Sequence, residues 1–198
     1  MKTIKEWVTH IDFNGDCLVD SPKQLQWIGQ GRSAVVFKVE DTNHAVKVFY
    51  PRFQALAEKE AEVYRKLSNH DFFPRLIMEG EGFLVLEYVE GITFYDCLVQ
   101  GIAITPDMVL KVDEALDFAR KKGLNPSDIH LKNMMLTKEN EVKIIDVVRF
   151  TQQQECSHWP DLKKAYYTYY QRRFFPKKYP RVVIEFIIRL YRKRLLPI

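Results

Sequence analysis

Leu25-Gln26-Trp27-Ile28-Gly29-Gln30-Gly31-Arg32-Ser33-Ala34-Val35-Val36-Phe37-Lys38-Val39-Glu40-Asp41-Thr42-Asn43-His44-Ala45-Val46-Lys47-Val48-Phe49 decides the fold class. Three β-branched or aromatic runs, Leu25–Ile28, Ala34–Val39 and Ala45–Phe49, are broken by Gly, Asp and Asn, the pattern of consecutive short strands. Gly29-Gln30-Gly31 reads most plainly as hairpin punctuation, although glycines also let backbone N–H groups approach a phosphate with no Cβ in the way. Side chains alternate along a strand, so Ala45 and Lys47 share one face. A lysine in the middle of such a strand lies either at a sheet edge in water or against something anionic.

Downstream, Pro51 can open a helix running to about Leu67. At ~100° per residue, Phe53, Leu56, Ala57, Val63, Tyr64 and Leu67 fall within about 60° of Glu60, which therefore interrupts an apolar stripe. A carboxylate facing a core is costly unless paired, and Lys47 is the obvious partner. The alternative is a glutamate snorkelling at the stripe's edge. Pro74–Met78 and Phe83–Leu86 read as two more strands around the turn Glu79-Gly80-Glu81-Gly82. Upstream, residues 1–22 read as an N-terminal extension: a short helix from Thr3 to Thr9, then a polar connection.

The second half changes character. Thr105-Pro106 is an N-cap with proline at the first helical position, Gly123 is a plausible stop, and Val109, Val112, Leu116 and Ala119 form the stripe between them. Short strands Met134–Leu136 and Val142–Ile145 flank the turn Thr137–Glu141. Helices are expected over about Trp159–Arg173 and Arg181–Arg194. Strands in one half and helices in the other argue α+β in two lobes, a small β-rich N-terminal lobe of about 23–86 and a helical C-terminal lobe of 92–198. Glu87-Tyr88-Val89-Glu90-Gly91 would connect them.

Composition bounds the rest. At 198 residues, 46% apolar and 13% aromatic, one domain with a substantial core is expected over 23–198. No apolar run reaches the ~18 residues of a spanning helix, and Met1–Asn14 lacks a signal-peptide core. Cys17, Cys97 and Cys156 are odd in number and widely spaced, suiting neither a disulfide framework nor a zinc site, so a reduced, cytoplasmic protein is expected.

Three oxygen-bearing residues gather near the last strands. Asp128 precedes Asn133 by five residues on a loop entering a strand, and Asp146 follows the next strand. An Asp, an Asn and an Asp at adjacent strand ends suit oxygen ligation of Mg²⁺ plus one further carboxylate. Singly, Asp128 and Asn133 would be ordinary turn residues.

With these parts in order from Gln24 to Phe150, the sequence resembles the protein-kinase-like superfamily, most closely small bacterial serine/threonine-kinase-like proteins. Gly29-x-Gly31 with Val36 is similar to the Gly-rich loop, Ala45-Val46-Lys47 to the strand-3 lysine motif and Glu60 to the helix-C glutamate. Phe83 to Gly91 resembles the strand and hinge that hold adenine. Asp128 with Asn133 looks like the catalytic loop, and Asp146 like the metal-binding Asp. The resemblance implies ATP and Mg²⁺ as cofactors. Gly29, Gly31 and Ser33 would approach the phosphates, Lys47 held by Glu60 would bind them, and Val36 and Ala45 would sandwich adenine. Backbone groups of Glu87 and Val89 would read its edge, Asn133 and Asp146 would hold Mg²⁺, and Asp128 would accept the proton of a Ser or Thr hydroxyl on a protein substrate.

The departures bear on mechanism. Ala34 stands for the third glycine, Pro126-Ser127 for His-Arg, and Val147-Val148 for Phe-Gly. Control through the missing arginine and the in/out flip after Asp146 are not expected. His130 stands where protein kinases carry a lysine, as in antibiotic phosphotransferases of the same superfamily, so a small-molecule kinase is the alternative. No Ala-Pro-Glu follows, and the 48 residues after Phe150 imply a truncated helical lobe.

Residues 161–198 carry eleven Lys or Arg against Asp161 and Glu185, a balance of +9, so residues 1–160 hold −5 of the net +4. The plainer reading is that these charges solvate two helix faces. The other is an anionic partner such as RNA, a phospholipid surface or an acidic protein; a pseudokinase or RNA-associated binding module would use segment 163–194 as its contact surface. Trp159, Leu162, Tyr166 and Tyr169 form a packing stripe. The last helix, apolar except for Arg181, Glu185, Arg189 and Arg192, is expected to be buried by core packing, with a membrane-surface helix the lesser reading. His10, His44, His70 and His158 show no ligand spacing and receive no role.

Overall fold

A computed structural model describes residues 2–195. In chain order the elements are α1 (Lys2–Thr9), β1 (Asp12–Asn14), β2 (Cys17–Asp20), β3 (Leu25–Gln30), β4 (Ala34–Val39), β5 (His44–Phe49), α2 (Ala55–Leu67), β6 (Leu76–Gly80), β7 (Phe83–Glu87), β8 (Gly91–Thr93), α3 (Phe94–Gln100), α4 (Pro106–Lys121), β9 (Met134–Thr137), β10 (Val142–Ile144), α5 (His158–Ala165) and α6 (Arg181–Arg192). The fold is α+β, β-rich in its N-terminal half and helical in its C-terminal half. Its two compact units comprise the chain up to Val89 with Asp146–Thr151, and Glu90–Ile145 with Gln152 onward.

The first unit is built on an antiparallel sheet in the order β3-β4-β5-β7-β6. Its two faces are filled differently because side chains alternate with a period of two. Leu25, Val35, Phe37, Val39, Val46, Val48, Phe83 and Val85 form one buried cluster with Ile4, and Trp7, Val8, Phe13 and Leu18 pack against it. Helix α1 and the β1–β2 hairpin therefore cover this face, and the expected polar connection after Thr9 contains a strand pair. Val36, Ala45, Lys47, Leu84 and Leu86 occupy the other face, since Lys47 lies opposite Val36 and Leu84, and Ala45 opposite Leu86.

Helix α2 lies on this second face through Ala57, Glu60, Ala61, Val63, Tyr64 and Leu67. The single helix expected from Pro51 is broken: Pro51–Phe53 is a 3₁₀ turn, and Phe53 packs with the first-face cluster instead of extending the Glu60 stripe. Helix α2 ends at Ser68 in the left-handed conformation, its N–H donating to the carbonyls of Tyr64 and Arg65. The turn at Val148–Thr151 packs on α2, where the fully buried Phe150 meets Phe73 edge-to-face, ring centroids 6.3 Å apart.

The second unit joins a three-stranded sheet, β10-β9-β8, to its helices. Thr105 caps α4 by accepting from the Met108 N–H, and Gly123 follows the helix at φ +74°. Strand β8 and helix α3 are additions to the sequence expectation. Thr93 caps α3, accepting from the Asp96 N–H while its hydroxyl donates to the Asp96 carboxylate. Gly91 is required by a close approach: a Cβ there would stand 2.3 Å from the Leu136 carbonyl oxygen. Gly91→Ala is expected to cost about 1–3 kcal/mol, read as a lower urea midpoint. An unchanged midpoint would mean that β9 yields without cost.

The expected helix from Trp159 continues past α5 as a π-helical turn, Tyr166–Tyr170. Within it Tyr170 is buried while Tyr169 is exposed. Tyr166 donates to the Ile104 carbonyl and Tyr170 accepts from the Ile104 N–H, both at 3.1 Å. The expected burial of the last helix is overturned: in α6 only Ile184 is fully buried, while Val182, Val183, Phe186 and Ile187 are exposed. No helix among the described residues is long and apolar enough to cross a membrane.

Candidate active site

Lys47 projects from the centre of β5, where the pairing on both sides fixes its direction. Its ammonium donates to both Glu60 carboxylate oxygens, at 2.9 and 2.7 Å, and to Asp146 Oδ1 at 2.8 Å. Glu60 has no exposed surface and Lys47 almost none, whereas the Asp146 side chain is about half exposed. Glu60 does not snorkel: it faces inward and is paired.

Burial opposes the charged form of Lys47, yet the charges of Glu60 and Asp146 together hold its pKa above the ordinary value. The ammonium therefore persists throughout the neutral range. Burial pushes the Glu60 carboxyl up to about 7, with the Lys47 ammonium pulling it down and the Asp146 charge adding to the rise. Two carboxylates compete for one buried cation, and Asp146 is the partner with access to solvent. That arrangement leaves Lys47 anchored by Glu60 should Asp146 engage something else.

The Gly-rich stretch lies on the same unit. Gly29 and Gln30 belong to β3, so the hairpin loop falls at Arg32-Ser33, not on the glycines, and is closed by the Gly31 N–H donating to the Ala34 carbonyl at 2.8 Å. Neither Gly29 nor Gly31 has a positive φ. A Cβ at Gly29 would meet nothing within 4 Å, and one at Gly31 only the Ala34 carbonyl at 3.9 Å. The fold leaves room for side chains at both. The Ser33 carbonyl is tied to the Tyr50 N–H at 3.0 Å. Val36 and Ala45 share the Lys47 face. At the end of β7 the Glu87 N–H donates to the Arg75 carbonyl, and Val89 is buried.

The second unit carries the other two candidates on one loop. Asp128 adopts φ +62° and Asp146 φ +61°, the left-handed region that Asp tolerates better than most residues. The Asp128 N–H donates to Cys156 Sγ at 3.4 Å, and its carbonyl accepts from Asn133 Nδ2 at 3.1 Å. The Asn133 amide nitrogen is thus a donor, and its amide oxygen is an acceptor. His158 Nδ1 stands 3.4 Å from Asp128 Oδ1. His158, left without a role by spacing, and Cys156 are thus neighbours of the candidate base. They lie 30 and 28 residues from it, and no local pattern announces a contact of that range.

One ion cluster thus lies on the sheet of the β-rich half and one Asp–Asn loop in the helical half that follows. The chain belongs to the protein-kinase-like superfamily. It is 47% identical over 180 residues, 90% of its length and 84% of the relative's, to "Putative serine/threonine-protein kinase YrzF" of Bacillus subtilis (strain 168). It is 30% identical over 141 residues to "Probable serine/threonine-protein kinase SCO3848" of Streptomyces coelicolor, covering 60% of this chain and 21% of that protein. Serine/threonine-protein kinase PknB of Mycolicibacterium smegmatis is 28% identical over 110 residues, half of this chain and 17% of PknB. The chain thus spans about a fifth of these longer relatives. No family model matches it.

Proposed function

We propose that the chain is an ATP- and Mg²⁺-dependent kinase that phosphorylates Ser or Thr hydroxyls of a protein, with residues 87–91 as the hinge of a single kinase-like domain over 23–198. The observation that carries this reading is the Lys47 ammonium, held by both oxygens of a fully buried Glu60 while still bonded to the half-exposed Asp146. A buried cation kept charged and fixed in direction is what a polyphosphate requires. The names of the relatives support the same class of reaction.

In this reading Lys47 neutralises the α- and β-phosphates and Glu60 keeps it there. Val36 and Ala45 bracket adenine, and backbone groups of Glu87 and Val89 read its edge. The room at Gly29 and Gly31, which the fold itself does not need, admits a close phosphate beside Ser33. Asp146 and the Asn133 amide oxygen are hard donors that suit Mg²⁺, a cation held by one or two protein oxygens with the rest from phosphates and water. When bound, Mg²⁺ neutralises charge developing on the transferring group. Asp128 takes the proton of the substrate hydroxyl as the oxygen–phosphorus bond forms and the bond to the departing ADP breaks.

Calorimetry with ATP tests the assembled reading. Wild type is expected to bind ATP with Mg²⁺, and Asp146→Ala to bind it at least about tenfold more weakly. Absence of binding with and without Mg²⁺ would overturn the proposal.

A further inference from the structure

Helix α6 presents apolar side chains on two sides. Ile184, Ile188 and Tyr191 turn inward, where the Tyr191 hydroxyl donates to Asp161 at 2.6 Å and Glu185 pairs with Lys132 at 2.9 Å. At ~100° per residue, Val182, Val183, Phe186 and Ile187 span about 140° on the other side. All four are exposed, Val182 at 79% and Phe186 at 58%. Phe174, in the segment leading to α6, is 93% exposed and lies among Arg172, Arg173, Lys177 and Lys178.

The charges around this face are mostly positive. The acids of residues 161–198 are both paired, Asp161 with the Tyr191 hydroxyl and Glu185 with Lys132. Arg181, Arg189, Arg192, Lys193 and Arg194 are exposed along or beyond α6. An apolar arc flanked by cations fits a partner that is apolar inside and anionic at its rim.

We propose that α6 and the Phe174 segment form a docking surface for an anionic phospholipid bilayer. The apolar arc enters the boundary between headgroups and acyl chains, and the cations remain at headgroup level. Charge decides against a second copy of the chain, which would bring +9 against +9. The aliphatic side chains decide against RNA, which offers them nothing to bury against. Phe174, outside the helix, suits a broad surface better than a groove shaped for one helix.

The test is flotation of the full chain with vesicles, either of phosphatidylcholine alone or of equal parts phosphatidylcholine and phosphatidylglycerol. Binding to the anionic vesicles only is expected, weakened by more than about tenfold in Val183→Ser/Phe186→Ser. Both positions are exposed, so the double variant should keep the wild-type urea midpoint. A folded chain that stays off anionic vesicles, or a double variant that floats as well as wild type, overturns the proposal. So does assembly into a dimer, or binding to RNA, in place of vesicle binding. No nucleotide enters the experiment, so its outcome is independent of the kinase reading.

Discussion

Asp128→Asn is expected to slow phosphoryl transfer by about 10²- to 10⁴-fold, the span usually lost with a general base, while ATP affinity stays unchanged. Asn matches Asp in size and tolerates the left-handed backbone at φ +62°. The bonds that hold the loop survive, because Cys156 Sγ and Asn133 Nδ2 contact backbone atoms of residue 128. Proton acceptance is removed, and the ionic part of the His158 contact with Oδ1 goes with it. Transfer of labelled phosphate to a protein substrate, with calorimetry on the same sample, separates the two effects. A variant that transfers at the wild-type rate would show that the proton goes elsewhere.

Lys47→Met is expected to cost about 3–5 kcal/mol of stability near neutral pH, because it leaves the buried Glu60 carboxyl beside Asp146 without a cation. The loss should depend on pH in a defined direction. In the intact protein the Glu60 carboxyl titrates near 7 rather than at its ordinary 4.5, chiefly through burial. Its neutral form is thus favoured by folding, and that contribution is full below 4.5 and disappears as pH rises through 7. Without Lys47 the carboxyl rises further, so the variant should approach wild-type stability in acid and fall behind as pH increases. The added change Glu60→Leu should restore most of the loss, since an apolar pair can replace a buried ion pair. Urea midpoints across the pH range decide the matter. A deficit equal at all pH values, or a double variant no better than the single one, would mean that the carboxylates are not what makes the lysine necessary.

The parts legible in sequence were those with a periodic contradiction or a cap. Glu60 stands out because it interrupts a helical stripe, and its pairing with Lys47 follows from the cost of burying a lone carboxylate. Thr105-Pro106 and Gly123 bracket α4 by cap chemistry. Helix α3 had a similar sign in Thr93-x-x-Asp96, but seven residues give too little periodicity to confirm it. Tyr169 and Tyr170 both lie near the face of Tyr166 at helical spacing, i+3 and i+4, and the structure buries Tyr170. Helix α6 is apolar nearly all round, and burial is the ordinary inference from that pattern. Which side of such a rod meets the protein depends on neighbours such as Lys132 and Asp161, distant in sequence. The contact of His158 with Asp128 was hidden for the same reason.

The first unit also has a consequence for the order in which the protein can fold on the ribosome. Ile4, Trp7 and Val8 are made well before the rest of the cluster that buries them, which is complete only once Phe83 and Val85 have emerged. The unit closes later still, when Phe150 arrives on α2 against Phe73. Residues 90–145 leave the exit tunnel before that closure. The leading helix therefore waits with its apolar side uncovered until Val85 has emerged, an interval in which a chaperone or premature association competes for it. Long-range closure of this kind slows folding.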